Sequence, residues 1–305
     1  MELIQWTLFI DMLGYRDING SIESDKVAMD FISFMDANKK ILDLADNKET
    51  KEKYAKNEHF NLYKYYEISS CLVSDSIIIT YKPKQVEDLK NIDLMYMHSA
   101  NALFIITIRL QALIFHCFSE RGIFLRGGIS NKYCLIKDNF AVGTGLIEAY
   151  AAESKIAIHP RVVLHPEIEK DKVLMSKIKI LAEFMYNGRP IIQKDSLDEL
   201  LFLDYIGYAI SSIDVNIPMI AESAKRDPLN YLSHVSSVDI YIKKHYEAIQ
   251  KKLTELKHSI EKEKDNKSSG TQLTKVLDKF LWLAEYHNKS ISNSNNLKKY
   301  HIQTK

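Results

Sequence analysis

The sequence lacks the cysteine pattern of a disulfide framework or a zinc site. Its three cysteines, Cys71, Cys117 and Cys134, are an odd number, lie far apart and form no CxxC pair. Isolated cysteines of this kind are typical of reduced residues in a cytosolic protein, because disulfides persist mainly in oxidising compartments. We therefore expect a cytoplasmic protein.

The sequence also lacks a charge excess of either sign. Forty-one basic residues balance forty acidic ones, for a formal net charge of +1. A protein that binds nucleic acid or an anionic membrane through its overall charge would carry a basic excess. We expect neither a nucleic acid nor a membrane as a partner.

No apolar run is long enough to span a membrane. The most apolar stretch is Ala102–Ile108, and polar residues such as Asn101 and Arg109 interrupt its surroundings. A membrane helix needs about 20 apolar residues, so the stretch predicts a buried helix. The N-terminus has no signal-peptide pattern either, because Glu2 stands where a basic residue is usual and Asp11 ends the apolar run.

What is present is a long chain with an ordinary hydrophobic content of 46% over 305 residues, enough for one large domain or one domain with an appendage. Periodicity predicts the order β-α-β-β-α-β over the first 165 residues. This is the order of a ferredoxin-like, split βαβ core, and hence an α+β fold. The predicted elements are strands 2–12, 66–73, 76–81, 124–129 and 161–164, helices 25–46, 86–120, 146–158 and 167–187, a hairpin over 133–142, and edge strands within 191–208.

The C-terminal third reads as a helical extension. We place the boundary between a core domain, residues 1–217, and the extension, residues 218–305. The composition of 266–271, Asn-Lys-Ser-Ser-Gly-Thr, predicts a linker. A final helix is predicted over 273–286, and the tail 288–305 is expected to be frayed.

Two aspartates are the first candidates for chemistry. Asp11 follows the apolar run Trp6–Ile10, and Asp75 lies at the bend between two apolar strands. In a split βαβ sheet these positions can converge, and two carboxylates there can hold two divalent cations. The alternative is that Asp11 caps a turn and Asp75 forms an Asx-turn. For either residue alone the two interpretations are about equally favoured.

Two glycine-containing segments give weaker signals. Arg126 with Gly127 and Gly128 could offer a guanidinium and backbone N–H groups to phosphate, or mark a bend with Arg126 in a structural ion pair. The turn 143–145, Gly-Thr-Gly, is neither GxGxxG nor a P-loop. It favours a close packing turn before a helix, on which Tyr150 and Glu153 would form one side.

Taken in order, these residues resemble the class III nucleotidyl cyclase domain, and more narrowly the bacterial pyrimidine cyclases of Pycsar antiphage systems. The resemblance covers about residues 4–165. It rests on five blocks: Phe9-Ile-Asp11-Met-Leu-Gly14-Tyr, Val73-Ser-Asp75-Ser, Arg126-Gly-Gly-Ile, Gly145-Leu-Ile-Glu-Ala-Tyr-Ala-Ala-Glu153 and Pro160-Arg161-Val-Val-Leu.

The resemblance implies a set of site residues. Asp11 and Asp75 match the two metal-binding aspartates, with the backbone carbonyl of Met12 as a further ligand. Phe9 and the turn from Met12 through Leu13 to Gly14 would lie beside the triphosphate. Two Mn²⁺ or Mg²⁺ ions per site are implied, as is a homodimer that builds its sites at the interface, so that a monomer is inactive.

The chain departs from the purine cyclases of this family at three positions. Counting places Ile147 and Ala151 where those enzymes carry an asparagine and an arginine that stabilise the transition state. Arg126 and Arg161 are then the candidates for the catalytic cation. The position that selects a purine falls near Cys71, which cannot pair with a purine edge as a charged group would. These departures favour the pyrimidine subgroup.

The resemblance therefore implies cyclisation of UTP, or CTP, to the 3′,5′-cyclic monophosphate, a messenger that activates a partner effector during phage infection. A palm-type dinucleotide cyclase is one alternative, although the bend carries Ser74-Asp75-Ser76 rather than Gly-Gly-acidic. The other alternative is a degenerate cyclase-like dimer that binds nucleotide or acts as a scaffold, which the missing asparagine and arginine favour.

Overall fold

The computed structural model describes residues 2–42, 52, 61–86, 89–186, 191–263 and 267–304. The strands are β1 (Trp6–Leu13), β2 (Tyr66–Val73), β3 (Ser76–Pro83), β4 (Phe124–Ser130), β5 (Leu135–Lys137), β6 (Phe140–Val142), β7 (Val162–Leu164), β8 (Ile192–Lys194) and β9 (Leu201–Leu203). The helices are α1 (Tyr15–Gly20), α2 (Asp25–Leu42), α3 (Leu62–Tyr65), α4 (Ile92–Arg121), α5 (Thr144–Ala151), α6 (Pro166–Glu169), α7 (Lys172–Tyr186), α8 (Tyr205–Ser211), α9 (Pro218–Arg226), α10 (Pro228–Lys262) and α11 (Lys267–Ile291).

The main sheet has the strand order β2-β3-β1-β4-β7-β9-β8. Its first four strands are antiparallel to their neighbours, and two long helices, α2 and α4, connect β1 to β2 and β3 to β4. That is the ferredoxin-like, split βαβ arrangement, so the predicted α+β class and core are confirmed. The strand β7 extends the sheet by pairing in parallel with β4.

The two faces of β1 differ in character. One face of β1 is fully buried and consists of Trp6, Leu8, Ile10 and Met12. The residues between them point to the other face, where Phe9, Asp11 and Leu13 are partly exposed. Because side chains alternate across a strand, the first set faces the helical layer; the indole N–H of Trp6 donates to a backbone carbonyl of α4 at 3.0 Å. The second set lies on the opposite face, which we call the site face.

Helix α4 is the core helix of the domain. Most of its middle is buried, and Gly122 ends it in the left-handed conformation with φ 66°, which glycine adopts without strain. Of the helices described, α4 alone is long and apolar enough to cross a membrane, and 67% of its most apolar stretch is buried inside the fold. The prediction of a buried helix is confirmed, and the cytoplasmic location stays a prediction.

Most predicted boundaries agree with the observed elements to within a few residues. The strand β2 coincides with the predicted range, and α4 begins six residues later than predicted because Asn91 caps it. Residues 43–46 of the predicted first helix lie outside the described residues. The predicted helix 146–158 is α5 followed by a π-helical turn, Ala152–Ile156.

Two expectations about the C-terminal third are wrong. The predicted linker is helical from Lys267 onward, since α11 begins there. The tail is not frayed: the Asn288 side chain bonds both backbone groups of Ile302, at 2.9 and 2.8 Å, and Ile302 is fully buried. Packing against the preceding helix therefore outweighs the polar composition of the tail.

The helices after Pro218 pack directly on the sheet domain. Tyr241 of α10 stacks on Phe115 of α4 with ring centroids 5.0 Å apart, and Phe280 of α11 meets Phe124 of β4 at 5.5 Å. One hydrophobic cluster includes residues of both parts. The division at residue 217 stays a prediction about domains, but the two parts share a core.

Candidate active site

The two aspartates are brought together by the pairing of β1 with β3. Asp11 lies opposite Ser76, the first residue of β3, and Asp75 occupies the turn immediately before it. Ser74, the other turn residue, has φ 58°, a left-handed conformation that tight hairpins require. The negative charge of Asp75 is close enough to raise the pKa of Asp11. The structure therefore places the two aspartates near each other, and their shared role as metal ligands stays a prediction.

Arg126 flanks Asp11 on its other side. The two residues are cross-strand partners in β4 and β1, and the guanidinium lies 3.6 Å from the Asp11 carboxylate. The same guanidinium donates through Nε to Glu153 at 2.6 Å. The row Ser76, Asp11, Arg126 thus places a carboxylate and a cation side by side on the site face.

Glu153 is a member of this cluster that the sequence reasoning set aside as one side of a helix. It lies on the π-helical turn after α5, which the bond from the Ala157 N–H to the Ala152 carbonyl closes at 2.7 Å. Single π turns in proteins are frequent at functional sites. The turn buries Glu153 against β4, and no sequence signal marks it, because the i to i+5 bonding depends on tertiary contacts.

Gly128 allows α5 and the π-helical turn after it to lie close against β4. A Cβ built at this position would lie 2.6 Å from the Cβ of Ala152 and closer still to the Ala149 carbonyl oxygen. Any larger residue would push the helix, and Glu153 with it, away from the sheet. Gly127 has a different role, since its N–H donates to the Arg161 carbonyl at 3.1 Å. These contacts favour the packing interpretation of the glycines, with Arg126 in ion pairs.

The carboxylates of the cluster carry more negative charge than the neighbouring cations neutralise. The pKa of Asp11 is raised from 3.8 to about 6, mainly by burial and then by the charges of Glu153 and Asp75. Arg126 and the backbone N–H of Met12 oppose this rise. Burial likewise raises the pKa of Glu153. A cation would therefore be stabilised at this place on the sheet.

Lys279 of α11 also reaches the cluster, and no local pattern in the sequence points to it. Burial and the Arg126 charge lower the pKa of Lys279, while Glu153 and Asp11 raise it. Asp11 and Lys279 are more than 260 positions apart in the sequence, and no periodicity or motif records their proximity.

The predicted substrate-contacting residues Phe9 and Cys71 lie in one row of the site face. Phe9 pairs with Ile78 of β3 on one side and with Gly128 on the other, and Ile78 pairs with Cys71. Residues two apart on a strand lie about 7 Å from each other on the same face, so this apolar row is the next one to the row of Asp11. The ring of Phe9 also meets Tyr150 of α5 edge-on at 5.2 Å.

Leu13 and Gly14 line a cavity of about 490 Å³ beside the cluster. Gly14 adopts the left-handed conformation with φ 86° at the start of α1, which turns the chain directly after β1. Met12, the predicted carbonyl ligand, is buried on the opposite face with its N–H toward Asp11. Its role as a metal ligand stays a prediction.

Arg161 is not brought together with the aspartates. Its guanidinium is buried, pairs with Asp195 and Asp198, and lies 5.2 Å from the Trp282 ring. The same Asp195 accepts the indole N–H of Trp282 at 2.8 Å. These contacts commit Arg161 to a cluster that joins the sheet to α11, which leaves Arg126 as the candidate catalytic cation.

The turn Gly143-Thr144-Gly145 serves close packing, as favoured from sequence. Gly143 has φ 136°, and a Cβ on Gly145 would lie 2.7 Å from the Thr7 hydroxyl. The N–H of Gly145 donates to the Tyr133 carbonyl at 2.8 Å. This turn therefore anchors α5 to β1 and to the segment before β5.

Among the described residues, no group of three or more His, Cys, Asp or Glu side chains forms a preformed metal centre. Magnesium-type ions in phosphoryl-transfer sites are usually held by only one or two carboxylates, with water and substrate phosphates completing the shell. The donor set of Asp11 and Asp75 fits such an ion, and the raised pKa of Asp11 marks an unneutralised charge there. The arrangement can bind divalent cations next to an apolar row.

Comparisons with known proteins do not show a family for this chain. No protein-family model matches the chain, and no curated protein matches it. Among solved structures, the guanylyl cyclase Cya2 aligns with a TM-score of 0.29 and 9% sequence identity, over 65% of this chain and 89% of that one. A likeness of this size does not show a function for this chain.

Proposed function

We propose that the chain is a nucleotidyl cyclase that converts UTP, in preference to CTP, into the 3′,5′-cyclic monophosphate and pyrophosphate. The observation that carries this proposal is the proximity of Asp75, in the turn between β2 and β3, to Asp11 on the site face, with Arg126 alongside. The order of the five sequence blocks supports the same reaction class.

In the proposed reaction the 3′-hydroxyl oxygen bonds to the α-phosphorus, the bond from that phosphorus to the bridging oxygen of pyrophosphate breaks, and the hydroxyl proton leaves to solvent. Two Mn²⁺ or Mg²⁺ ions held by Asp11, Asp75 and the Met12 carbonyl would lower the hydroxyl pKa and neutralise the leaving group. Arg126, fixed by Glu153, would face the charge on the α-phosphate.

The apolar row supplies the proposed base site. Phe9, Ile78 and Cys71 form an apolar row next to Asp11. Ile78 and Cys71 are buried beneath the surface and Phe9 is partly exposed, so the flat face of a pyrimidine would pack on Phe9. Phe9 would contact the nucleotide closest to the metals, with Leu13 and Gly14 beside the triphosphate. The preference for UTP over CTP and the role of the product as a messenger to an effector in antiphage defence rest on the resemblance.

A homodimer with its sites at the interface is part of the proposal. Large apolar side chains are exposed on the β5–β6 hairpin and on α5, next to the site face, where a second copy could bury them. They are Tyr133, Phe140, Val142, Ile147 and Tyr150. Exposed apolar side chains on these two neighbouring segments favour a protein partner, and a second copy would complete each site.

A degenerate, nucleotide-binding dimer is the second candidate. Ile147, at the position of the expected asparagine, is 68% exposed and apolar, so it offers no group to a transition state. Arg126 and Lys279 already oppose the carboxylate charges without a metal. Such a protein would bind nucleotide and release no product.

The test is to incubate the purified chain with each of the four nucleoside triphosphates and Mn²⁺ and to resolve the products by chromatography. We expect cyclic UMP, and less cyclic CMP, with one pyrophosphate per turnover. Asp75→Ala should abolish product while the protein stays folded by circular dichroism. Asp36→Ala, which removes an exposed carboxylate of α2, should leave the rate unchanged.

Dinucleotide products would establish the palm-type alternative, and nucleotide binding without turnover the degenerate one. Full activity of the Asp75→Ala protein would contradict the site assignment, whichever product forms.

A further inference from the structure

The position of Lys279 is fixed by aromatic contacts of the residues that follow it in α11, Phe280 and Trp282. Phe280 meets Phe124 edge-on at 5.5 Å, and Trp282 stacks on His159 at 5.0 Å. Phe124 and Arg126 lie on the same face of β4, two residues apart. A helix held on Phe124 therefore carries Lys279 next to Arg126, where its stem is half-buried.

Lys279 is also part of the cavity wall. The 490 Å³ cavity is bounded by the turn at Leu13 and Gly14 on one side and by α10 and α11 on the other. Lys279 lines the cavity. It also lies close enough to Asp11 and Glu153 for their charges to raise its pKa. Lys279 thus links the cavity wall to the carboxylate cluster.

The charged groups that line this cavity are mainly cationic. Lys251, Lys252, Lys279 and Arg121 face one acidic residue, Glu255. Lys252 lies 3.8 Å from Glu255, and Arg121 is paired with Asp30 at 2.6 Å. Lys251 and Lys279 add two further positive charges to the wall. A multivalent anion would be attracted to the cavity from solvent.

We infer that Lys279 is a cation from the C-terminal helices that holds the substrate's phosphates in this cavity, opposite the Leu13–Gly14 turn that the proposed function already places beside the triphosphate. The inference rests on the proposed function, because it takes the substrate to be a nucleoside triphosphate. It assigns the C-terminal extension a direct part in the site of its own chain. An ammonium group is a point charge well suited to phosphate oxygens.

The probe is inorganic triphosphate with Mg²⁺, titrated calorimetrically into the full-length protein. Lys279→Gln should weaken its binding about 10-fold or more, because a charge-assisted hydrogen bond is lost. Lys275→Gln is the matched control, because Lys275 lies one turn earlier on α11 and is exposed. Its replacement should change the affinity for triphosphate less than about twofold. Sulfate at equal ionic strength should not compete.

A second readout separates binding from a merely structural role. Amine acetylation followed by mass spectrometry should show Lys279 protected by triphosphate and Lys275 not protected. Wild-type affinity in the Lys279→Gln protein, or acetylation of Lys279 unchanged by triphosphate, overturns the inference. So does effective competition by sulfate, or the absence of triphosphate binding.

The two proposals fail separately. Triphosphate binding that depends on Lys279, in a protein that forms no cyclic nucleotide, would keep this inference and refute the cyclase. Cyclase activity in a protein whose affinity for triphosphate does not depend on Lys279 would support the cyclase and refute this inference.

Discussion

At the Asp11 side chain, carboxylates from three elements approach one another on the surface of the sheet. Asp75 and Glu153 both raise the pKa of Asp11, to about 6, in addition to the effect of burial. Groups placed against their own electrostatic preference are characteristic of sites that bind a ligand. Glu153 is buried and holds Arg126 beside Asp11 through a hydrogen bond and an ion pair.

This environment predicts that Asp11→Asn stabilises the ligand-free protein. The folded pKa of about 6 lies above the ordinary 3.8, so stability falls as the pH rises from about 4 to 6 and stays lower above that. Asparagine does not ionise, so the variant does not show this fall in stability. Its free energy of unfolding at pH 8 should be about 1–3 kcal/mol higher than that of wild type.

The measurement is urea unfolding of wild type and Asp11→Asn at pH 5 and pH 8, with Asp36→Asn as an exposed control. The gain should be larger at pH 8 than at pH 5. A variant less stable than wild type at both pH values would show that Asp11 is a structural residue.

At the scale of elements, a chain of hydrogen bonds joins α8, α10, α11 and the tail. Tyr205 contacts His245 at 2.9 Å, His245 contacts His287 at 2.9 Å, and His287 contacts the carbonyl of Tyr300 at 2.9 Å. The carbonyl can only accept, so neutral imidazoles allow one direction: each group donates to the next, from the Tyr205 hydroxyl to Tyr300. The two imidazoles cannot both be protonated, since their facing Nδ1 atoms would then both be donors.

The histidine pair predicts that stability falls on acidification. Burial lowers the pKa of His245 well below its usual value and that of His287 to about 4. Both folded values lie below the unfolded value near 6.5, so the unfolded chain binds more protons, and stability falls from about pH 6.5 to pH 4. Each imidazole contributes a slope of about 1.4 kcal/mol per pH unit.

Replacing His287 with Gln tests this account. The amide can accept from His245 and donate to the Tyr300 carbonyl, but it does not titrate. Chemical unfolding between pH 4.5 and 7.5 should show a shallower acid loss than in wild type, whereas His258→Gln, at an exposed position of α10, should match wild type. The same acid profile in the His287→Gln protein would refute the assignment.

Elements built from local patterns were predictable from the sequence. Strand β2 and the turn at Ser74–Asp75 follow directly from β-branched and aromatic runs around turn-forming residues, and these place Asp75 beside Asp11. Lys279 and the π turn at Glu153 depend on contacts between distant segments. The helical start of α11 and the ordered tail likewise arise from packing, which overrides a Ser- and Gly-rich composition.

At the scale of the molecule, the site face remains partly uncovered. The β5–β6 hairpin and α5 expose a group of apolar residues beside Phe9, with Phe140 76% and Ile147 68% exposed. The C-terminal helices cover the other end of the site through Phe280 and Lys279. A second copy of the chain would therefore approach from the side of α5.

The proposed dimer predicts that Ile147→Asp yields an inactive monomer. A charge in the centre of an apolar interface is costly to bury. Size-exclusion chromatography with light scattering should find wild type dimeric and Ile147→Asp monomeric, with cyclase activity lost in step. Leu229→Asp, at an 81% exposed position of α10, is the control that should stay dimeric. A monomeric, active wild type would rule out the interfacial site.

The central claim is that Asp11 and Asp75 share divalent cations at the point where substrate reacts. Crystals of the chain grown with Mn²⁺ and a non-hydrolysable UTP analogue would test it most directly, through the anomalous scattering of manganese. The account predicts manganese peaks within direct coordination distance of both carboxylates and of the triphosphate. Bound analogue with no manganese at these carboxylates, and the Lys279 ammonium in its place, would contradict it.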